Sequence, residues 1–281
     1  MSFAYRLEDY GRYCERVGDA TYLDISRRTD PARIGRLWDN LREVAETYGP
    51  PWVVQVWTKD AAGVLRHGES LLRSLVEMGT TVTAQVTVTG LAGTAWEPAV
   101  PPDALRHVPR LARLIGGADH IKWRYDPIIP GVHDPGRFRA LAHGVAGLGI
   151  TRGVINFIAP PGRYKRVDRR LKSLLPGWDE GMPGYDLTWQ ESTARELVEL
   201  AAQVGISLAC CAECALLADR VQGLGRAACG DYTWFAALSG KAPKQAPFRG
   251  SRPGCGCARY FDLGSYGHWS RCHRCAYCYA G

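Results

Sequence analysis

Three cysteines, Cys272, Cys275 and Cys278, stand at two-residue spacings in the stretch SRCHRCAYCYAG, residues 270–281. Such spacings let thiolates from one tight loop converge on adjacent irons of an iron–sulfur cluster. Zinc is the rival, because a structural zinc takes four ligands and Cys255 and Cys257 could complete a set with two of the three. The run itself supplies three thiolates, since YAG follows Cys278. A four-iron (4Fe-4S) cubane held by three cysteines leaves one iron open, and an open position is what separates a reactive metal site from a structural one.

The chain has ten cysteines, and all but Cys14 lie at or beyond residue 210. Its opening, MSFAYRLEDYGRYCERVGD, lacks the apolar core of a signal peptide, and no later apolar run approaches the roughly 20 residues that span a bilayer. The expectation is a cytoplasmic protein with no membrane partner. In that reducing compartment metal or redox chemistry explains the cysteines better than disulfides do. A second four-ligand cluster is read in Cys211, Cys229, Cys255 and Cys257. Adjacent strand residues face opposite sides, so Cys210 and Cys211 cannot both look into one site. Cys14, and either Cys210 or Cys214, are expected to be small buried hydrophobes.

What positions these residues is a repeating unit. Apolar, β-rich runs recur at TYLDIS (21–26), WVVQVWT (52–58), TVTAQVTVT (81–89), HIKWRY (120–125), GVINFI (153–158) and ISLACC (206–211). Segments of helical spacing separate them, and AECALLADRVQGLG reads as a sixth helix. Asp30-Pro31 and Asp134-Pro135 look like helix starts, an N-cap acceptor before a proline whose missing N–H is no loss in a first turn. Strand starts about 30 residues apart suit βα units with parallel strands. Six such units predict an α/β fold, a partial or full (β/α) barrel or a doubly wound sheet, carrying a C-terminal cysteine-rich metal-cluster loop. The 281 residues divide as a barrel over 1–224 and a cysteine-rich segment over 225–281 packed on it.

In such folds chemistry gathers where strands end. Strand one runs into Ser26, Arg27, Arg28 and Asp30; strand two into Trp57, Thr58, Lys59 and Asp60; strand four into Arg124 and Asp126; strand six into Cys211 and Glu213. Arg27, Arg28, Lys59 and Arg124 would neutralise carboxylates or phosphates, arginine in bidentate fashion, with Asp126 orienting one of the cations. Ser26 and Asp30 are read as cofactor contacts. The formal charge of +7 permits an anionic partner.

The tail resembles the cysteine loop of the radical S-adenosylmethionine enzymes. The whole chain is similar to a bacterial family of unknown function that carries such a loop at its C-terminus. The resemblance rests on ISRRTDPA, VWTKD, KWRYDPI, CCAE and, most specifically, CGCARYFDLGSYGHWSRCHRCAYCYA. It implies that Cys272, Cys275 and Cys278 hold the cluster and that Tyr277, before the last cysteine, lies near the adenine of S-adenosylmethionine. It also implies a permuted order, because the radical family places this loop after the first strand of a partial (β/α)6 barrel. The implied activity is one-electron cleavage of S-adenosylmethionine to methionine and a 5′-deoxyadenosyl radical that takes hydrogen from a substrate. A ferredoxin or flavodoxin would be the reductant, and a nucleotide, phosphorylated metabolite or nucleic acid the anionic substrate. One departure is the CHRC spacing, two residues where the family usually has three; ferredoxins use the shorter one.

The basic run RYKRVDRRLK (163–172) reads as a solvated helical face in a long insertion, 159–187, that suits a lid. It also motivates the rival reading, a nucleic-acid-binding module stapled by zinc or an inert cluster, with salt-dependent affinity. A third reading, an electron carrier, does not need six βα units. No paired HExxH, GxSxG, Walker loop or GxGxxG after a strand is present, so hydrolase, NTPase and Rossmann dehydrogenase readings lack a motif.

Overall fold

A computed structural model describes residues 5–182, 185–211, 214–244 and 255–280. Its centre is one all-parallel sheet of eight strands, β1 (Tyr22–Ile25), β2 (Val53–Thr58), β3 (Thr81–Thr87), β4 (Ile121–Ile128), β5 (Arg152–Phe157), β6 (Ser207–Cys210), β7 (Gly225–Arg226) and β8 (Phe261–Asp262). The spatial order is β7-β6-β5-β4-β3-β2-β1-β8. Strands one to six therefore lie side by side in chain order. A doubly wound sheet reverses direction at a switch point, and no reversal occurs along these six.

All six predicted strands are present, each within a few residues of its expected bounds. Helices alternate with them: α1 (Leu7–Val17) precedes β1, and α2 (Arg36–Tyr48), α3 (Ala61–Glu77), α4 (Val108–Ile115) and α5 (Pro135–Ala146) follow the first four strands in turn. The 159–187 stretch contains α6 (Lys165–Leu171), and α7 (Leu187–Ala202) leads into β6. After β6 come α8 (Ala215–Ala218) and, beyond β7, α9 (Tyr232–Ser239).

Two expectations about helices need correction. Asp134 caps α5, its carboxylate accepting from Arg137 N–H. Asp30 does not cap α2, which begins six residues later with Gly35 in the cap position. The Asp30 carboxylate accepts instead from the Lys59 N–H at 2.6 Å and the Thr58 hydroxyl at 3.1 Å, so tertiary partners have claimed it. The sixth helix shrinks to the single turn of α8, and Glu213 lies outside the described residues.

Strand parity sets the two faces of the sheet. Leu23, Ile25, Val54, Val56, Val82, Ala84, Val86, Ile121, Trp123 and Tyr125 belong to the large core shared with the helices. Residues of opposite parity are polar and buried: Asp24, Gln55, Thr83, Gln85, Lys122 and Arg124 are each at most 6% exposed. Register aligns them, with Asp24 beside Gln55, Gln55 beside Thr83 and Gln85 beside Lys122. Burying so many polar groups is tolerable because they satisfy one another. Tyr22 hydroxyl donates to Asp24 at 2.7 Å, Gln55 Nε2 reaches the Tyr22 oxygen at 2.8 Å, and Gln85 Nε2 donates to the Cys229 carbonyl at 2.9 Å.

The residues after 224 complete this arrangement from both edges. β7 pairs with β6 and β8 with β1. Trp234 and Phe235 of α9 pack with Ala20, Tyr22, Trp52 and Val53 near the start of the first two strands. That apolar cluster covers the polar layer near the strand starts, and the cavity lined by the polar face lies toward the C-terminal ends of the strands. No described helix is long and apolar enough to cross a membrane.

Candidate metal and cofactor site

One cavity of about 490 Å³ occupies the C-terminal ends of the strands. Fifteen residues singled out from sequence line it: Ser26, Arg27, Arg28, Asp30, Lys59, Arg124, Asp126, Cys211, Cys229, Cys255, Cys257, Cys272, Cys275, Tyr277 and Cys278. Its size is that of an ordinary small-molecule site.

The loop bearing Cys272, Cys275 and Cys278 lines the cavity and is held there by hydrogen bonds to its backbone. Trp269 Nε1 donates to the Cys275 carbonyl at 2.9 Å, and Arg170 of α6 donates to the Ala276 carbonyl at 2.8 Å and to the Cys278 carbonyl. His273 lies 2.8 Å from Asp30 and 3.1 Å from the Ala99 carbonyl. Both imidazole nitrogens thus face acceptors, which favours the protonated ring; burial opposes this, and the Asp30 carboxylate overcomes it, so the His273 pKa is raised. Burial also pushes the Cys272 thiol up to about 11 and the Cys275 thiol up to about 12. A metal bound there would have to displace these protons, because the thiolate is the ligand.

The cysteines after β6 and β7 form a separate set. Parity places Cys210 with Ile155 on the helix side, where it is buried beside Cys214, and leaves Cys211 for the cavity. Cys211 Sγ is 3.2 Å from Cys229 Sγ. Cys257 Sγ accepts from the Gly230 N–H at 3.4 Å, while Cys229 is drawn well below the ordinary thiol range by hydrogen bonds from Cys211 and Cys257, with Arg124 and Arg27 adding to the effect. Among the described residues, no three His, Cys, Asp or Glu side chains converge on a point fit for a single metal ion. A multi-iron cluster makes a different demand, because its ligands attach to different irons. Cys14, half-buried, packs against the helix-side core.

The cations at the mouth have protein partners. Arg27 pairs with Asp24, Lys59 with Glu97 at 2.8 Å, Arg124 with Asp126, and Arg28, most loosely, with Asp262 at 3.6 Å. Arg27 also lies over the Tyr260 ring at 3.8 Å, and the Trp57 ring takes Arg27 at 5.1 Å and Arg124 at 5.0 Å. Burial works against each charge, but the adjoining carboxylates prevail, and the Arg27, Arg124 and Lys59 pKa values are all raised. Ser26 accepts from the Arg28 N–H at 3.1 Å. A Cβ built on Gly264 would fall 1.8 Å from the Ser26 oxygen, so only glycine lets the C-terminal segment approach the end of β1 this closely.

Sequence reasoning missed three residues here. Asp24 is fully buried and accepts from Tyr22, Trp57 at 2.8 Å and Arg27. An acid inside an otherwise apolar parallel strand was the signal, because such strands read as continuous hydrophobic runs. Glu97, in the loop after β3, accepts from Lys59, from Thr89 at 2.8 Å and from the Tyr277 hydroxyl. Tyr277 accordingly is fixed by Glu97, and burial together with Cys275 and Glu97 drives its pKa well up. His273, which stands between two of the loop cysteines, is the loop's anchor to Asp30.

Residues 43–280 match a family model described as a domain of unknown function (DUF1848). No curated protein matches the chain. Among solved structures, the carboxyl transferase domain of Rhizobium etli pyruvate carboxylase with pyruvate and biocytin is similar at 13% identity and a TM-score of 0.35, over 78% of this chain and 33% of that one. A D-hydantoinase is similar at 11% identity and a TM-score of 0.31, over 68% of this chain and 39% of that one. This chain therefore spans less than half the length of either, and likenesses this slight assign nothing.

Proposed function

Because the chain belongs to the DUF1848 family, which has no assigned function, we propose from its own residues that it is an iron–sulfur enzyme of the radical S-adenosylmethionine type. The observation that carries this reading is the placement of Cys272, Cys275 and Cys278 on one anchored loop over the cavity at the strand ends. Three thiolates suit a cubane with one open iron, and the donor set is all sulfur, the preference of iron–sulfur clusters. When bound, the cluster would supply the electron that cleaves S-adenosylmethionine to methionine and a 5′-deoxyadenosyl radical, which takes hydrogen from substrate.

The chain's own residues do the rest. Asp30 and His273 fix the loop against the end of β1, and Arg170 fixes it from the insertion. Tyr277, pinned by Glu97, offers a ring face for the cofactor's adenine. The α6 insertion covers the loop through Val167, Leu171 and Ala276, a small core that excludes water from that side. Arg28, with the longest of the four ion-pair contacts, is the cation best able to turn to an anionic substrate or to the cofactor's carboxylate. The curled, barrel-like arrangement implied by a sequential parallel order would enclose that substrate.

The test is electron paramagnetic resonance of the anaerobically purified, reduced full chain, with and without S-adenosylmethionine. A cluster signal that changes on adding the sulfonium supports the reading. An unchanged signal removes the cofactor from it, and stoichiometric zinc with no signal would favour the metal-stapled binding module instead.

A further inference from the structure

The cavity holds more sulfur than the C-terminal loop requires. Cys211 follows β6, Cys229 follows β7, and Cys257 precedes β8, so three separate edge segments bring thiols to one place. Cys211 and Cys229 are 3.2 Å apart, Cys257 is hydrogen-bonded beside Cys229, and Cys255 lines the same cavity. Two guanidiniums face this group, Arg124 buried and Arg27 part-buried: Arg124 Nη1 is 3.5 Å from Cys229 Sγ, and Arg27 Nη1 is 3.7 Å from Cys257 Sγ. The loop cysteines have other neighbours, Asp30 beside Cys272 and Lys59 with Glu97 beside Cys275. The sulfurs thus sort into two sets with different charged surroundings.

Cations held against sulfur are what an anionic cluster needs. A cluster ligated by cysteine thiolates carries net negative charge, and burying it calls for compensation by nearby positive charge or hydrogen-bond donors. Arg27 and Arg124 meet that need while each also keeps a carboxylate, Asp24 and Asp126, which fixes its direction. A structural pair of small buried cysteines would not call for two arginines aimed at their sulfurs.

We propose that Cys211, Cys229 and Cys257, with Cys255 completing the set, hold a second iron–sulfur cluster, and that Arg27 and Arg124 are positioning residues that set its reduction potential rather than substrate clamps. The thiols release their protons to solvent as they bind iron. This site stands independently of the loop cluster, and the two fail separately.

Iron, acid-labile sulfide and zinc are measured on the anaerobically purified full chain, together with a potentiometric titration. The expected wild-type result is about eight irons per chain and two reduction steps, twice the content of one four-iron cluster. The double variant Cys229→Ser/Cys257→Ser should lose half the iron and one step while keeping the signal that responds to S-adenosylmethionine. Cys272→Ser/Cys275→Ser should lose the other half and that response. Arg124→Gln should retain both clusters and shift one potential to a more negative value, a change that a purely structural arginine would not produce. Should the first double variant fail to fold, the wild type and the loop variant decide: about four irons with one step, all of it lost in Cys272→Ser/Cys275→Ser, overturns the second cluster. Iron lost only with the loop variant also overturns it and leaves the proposed function standing. Iron lost only with Cys229→Ser/Cys257→Ser does the reverse. Stoichiometric zinc, or a Cys211–Cys229 disulfide in iron-free protein, overturns the second cluster as well.

Discussion

His273 Nε2 lies 2.8 Å from Asp30 Oδ2, and this contact ties the C-terminal cysteine loop to the segment leaving the first strand, 243 residues earlier. Asp30 Oδ2 accepts as well from Thr58 and from the Lys59 N–H, while its other oxygen accepts from the Ala32 N–H at 2.9 Å. One carboxylate therefore joins the ends of β1 and β2 to the metal loop.

Asp30→Ala would leave several buried donors unsatisfied, His273 among them. Each such group costs on the order of 1–3 kcal/mol, so a loss of about 3 kcal/mol in denaturant unfolding is expected. Iron content after anaerobic reconstitution should fall at the same time. His273→Ala should produce the same iron loss with a smaller change in stability. Full iron content in both variants would mean the contact does not position the loop.

Arg170 was expected on a solvated helical face and is instead bonded to two carbonyls of the cysteine loop, with its guanidinium 4.9 Å from the centre of the Trp269 ring. Arg170→Ala should change global stability by roughly 1 kcal/mol, in line with loss of hydrogen bonds at a partly exposed site. Release of iron to a chelator should nevertheless speed up severalfold, since the loop alone would be loosened. An unchanged release rate would show that α6 does not hold the loop. Arg169→Ala, on the same helix, is the control and should alter neither measurement.

The strands were legible because parallel buried strands announce themselves as short apolar runs, and their spacing of about 30 residues is set by the crossover helix. Register then follows, which is why parity alone separated Cys211 from Cys210. The two-residue strands β7 and β8 were not legible, since two residues carry no periodicity. Nor was the plug formed by Trp234 and Phe235, because an aromatic pair in sequence does not say which end of a sheet it will cover. At the site, residue types and strand ends located the cavity wall, whereas the pairing did not emerge. Arg27 and Asp24 are three residues apart and could have been guessed; Lys59 and Glu97, 38 apart, depend on the path of the loop after β3.

Lys59 and Glu97 form a buried ion pair, with side chains 14% and 2% exposed. Removing one partner strands the other's charge, which costs about 3–5 kcal/mol, whereas replacing both with apolar groups of similar volume is often near neutral. Glu97→Ala should therefore destabilise the fold by about 3 kcal/mol, and Lys59→Met/Glu97→Leu should recover most of that loss in a double-mutant cycle. The double variant would still lack the acceptor for Tyr277, so a change in S-adenosylmethionine affinity that persists after stability is restored would identify Tyr277 placement as the pair's functional role. Affinity restored along with stability would confine the pair to the fold.

His133 provides a pH signature away from the metal loop. Its Nδ1 is 3.0 Å from the Tyr125 hydroxyl, and Nε2 is buried with no hydrogen-bond partner among the described residues. Burial lowers its pKa; Asp134 pulls the other way and Arg137 adds to the lowering. The folded state therefore binds the proton less readily than the unfolded chain, whose histidine titrates near 6.5. Between the lowered value and about 6.5 the unfolded chain carries more protons, so stability must rise with pH through that window and level off above it. Below the window the fold bears the full penalty of charging a buried ring. His133→Phe removes the titration while keeping a ring in the pocket. The unfolding free energy of the wild type minus that of the variant, measured from pH 5 to pH 8, should therefore rise with pH through that window and then level off, since other titrating groups such as His273 contribute to both proteins. Parallel profiles for the two proteins would place the titration on another group.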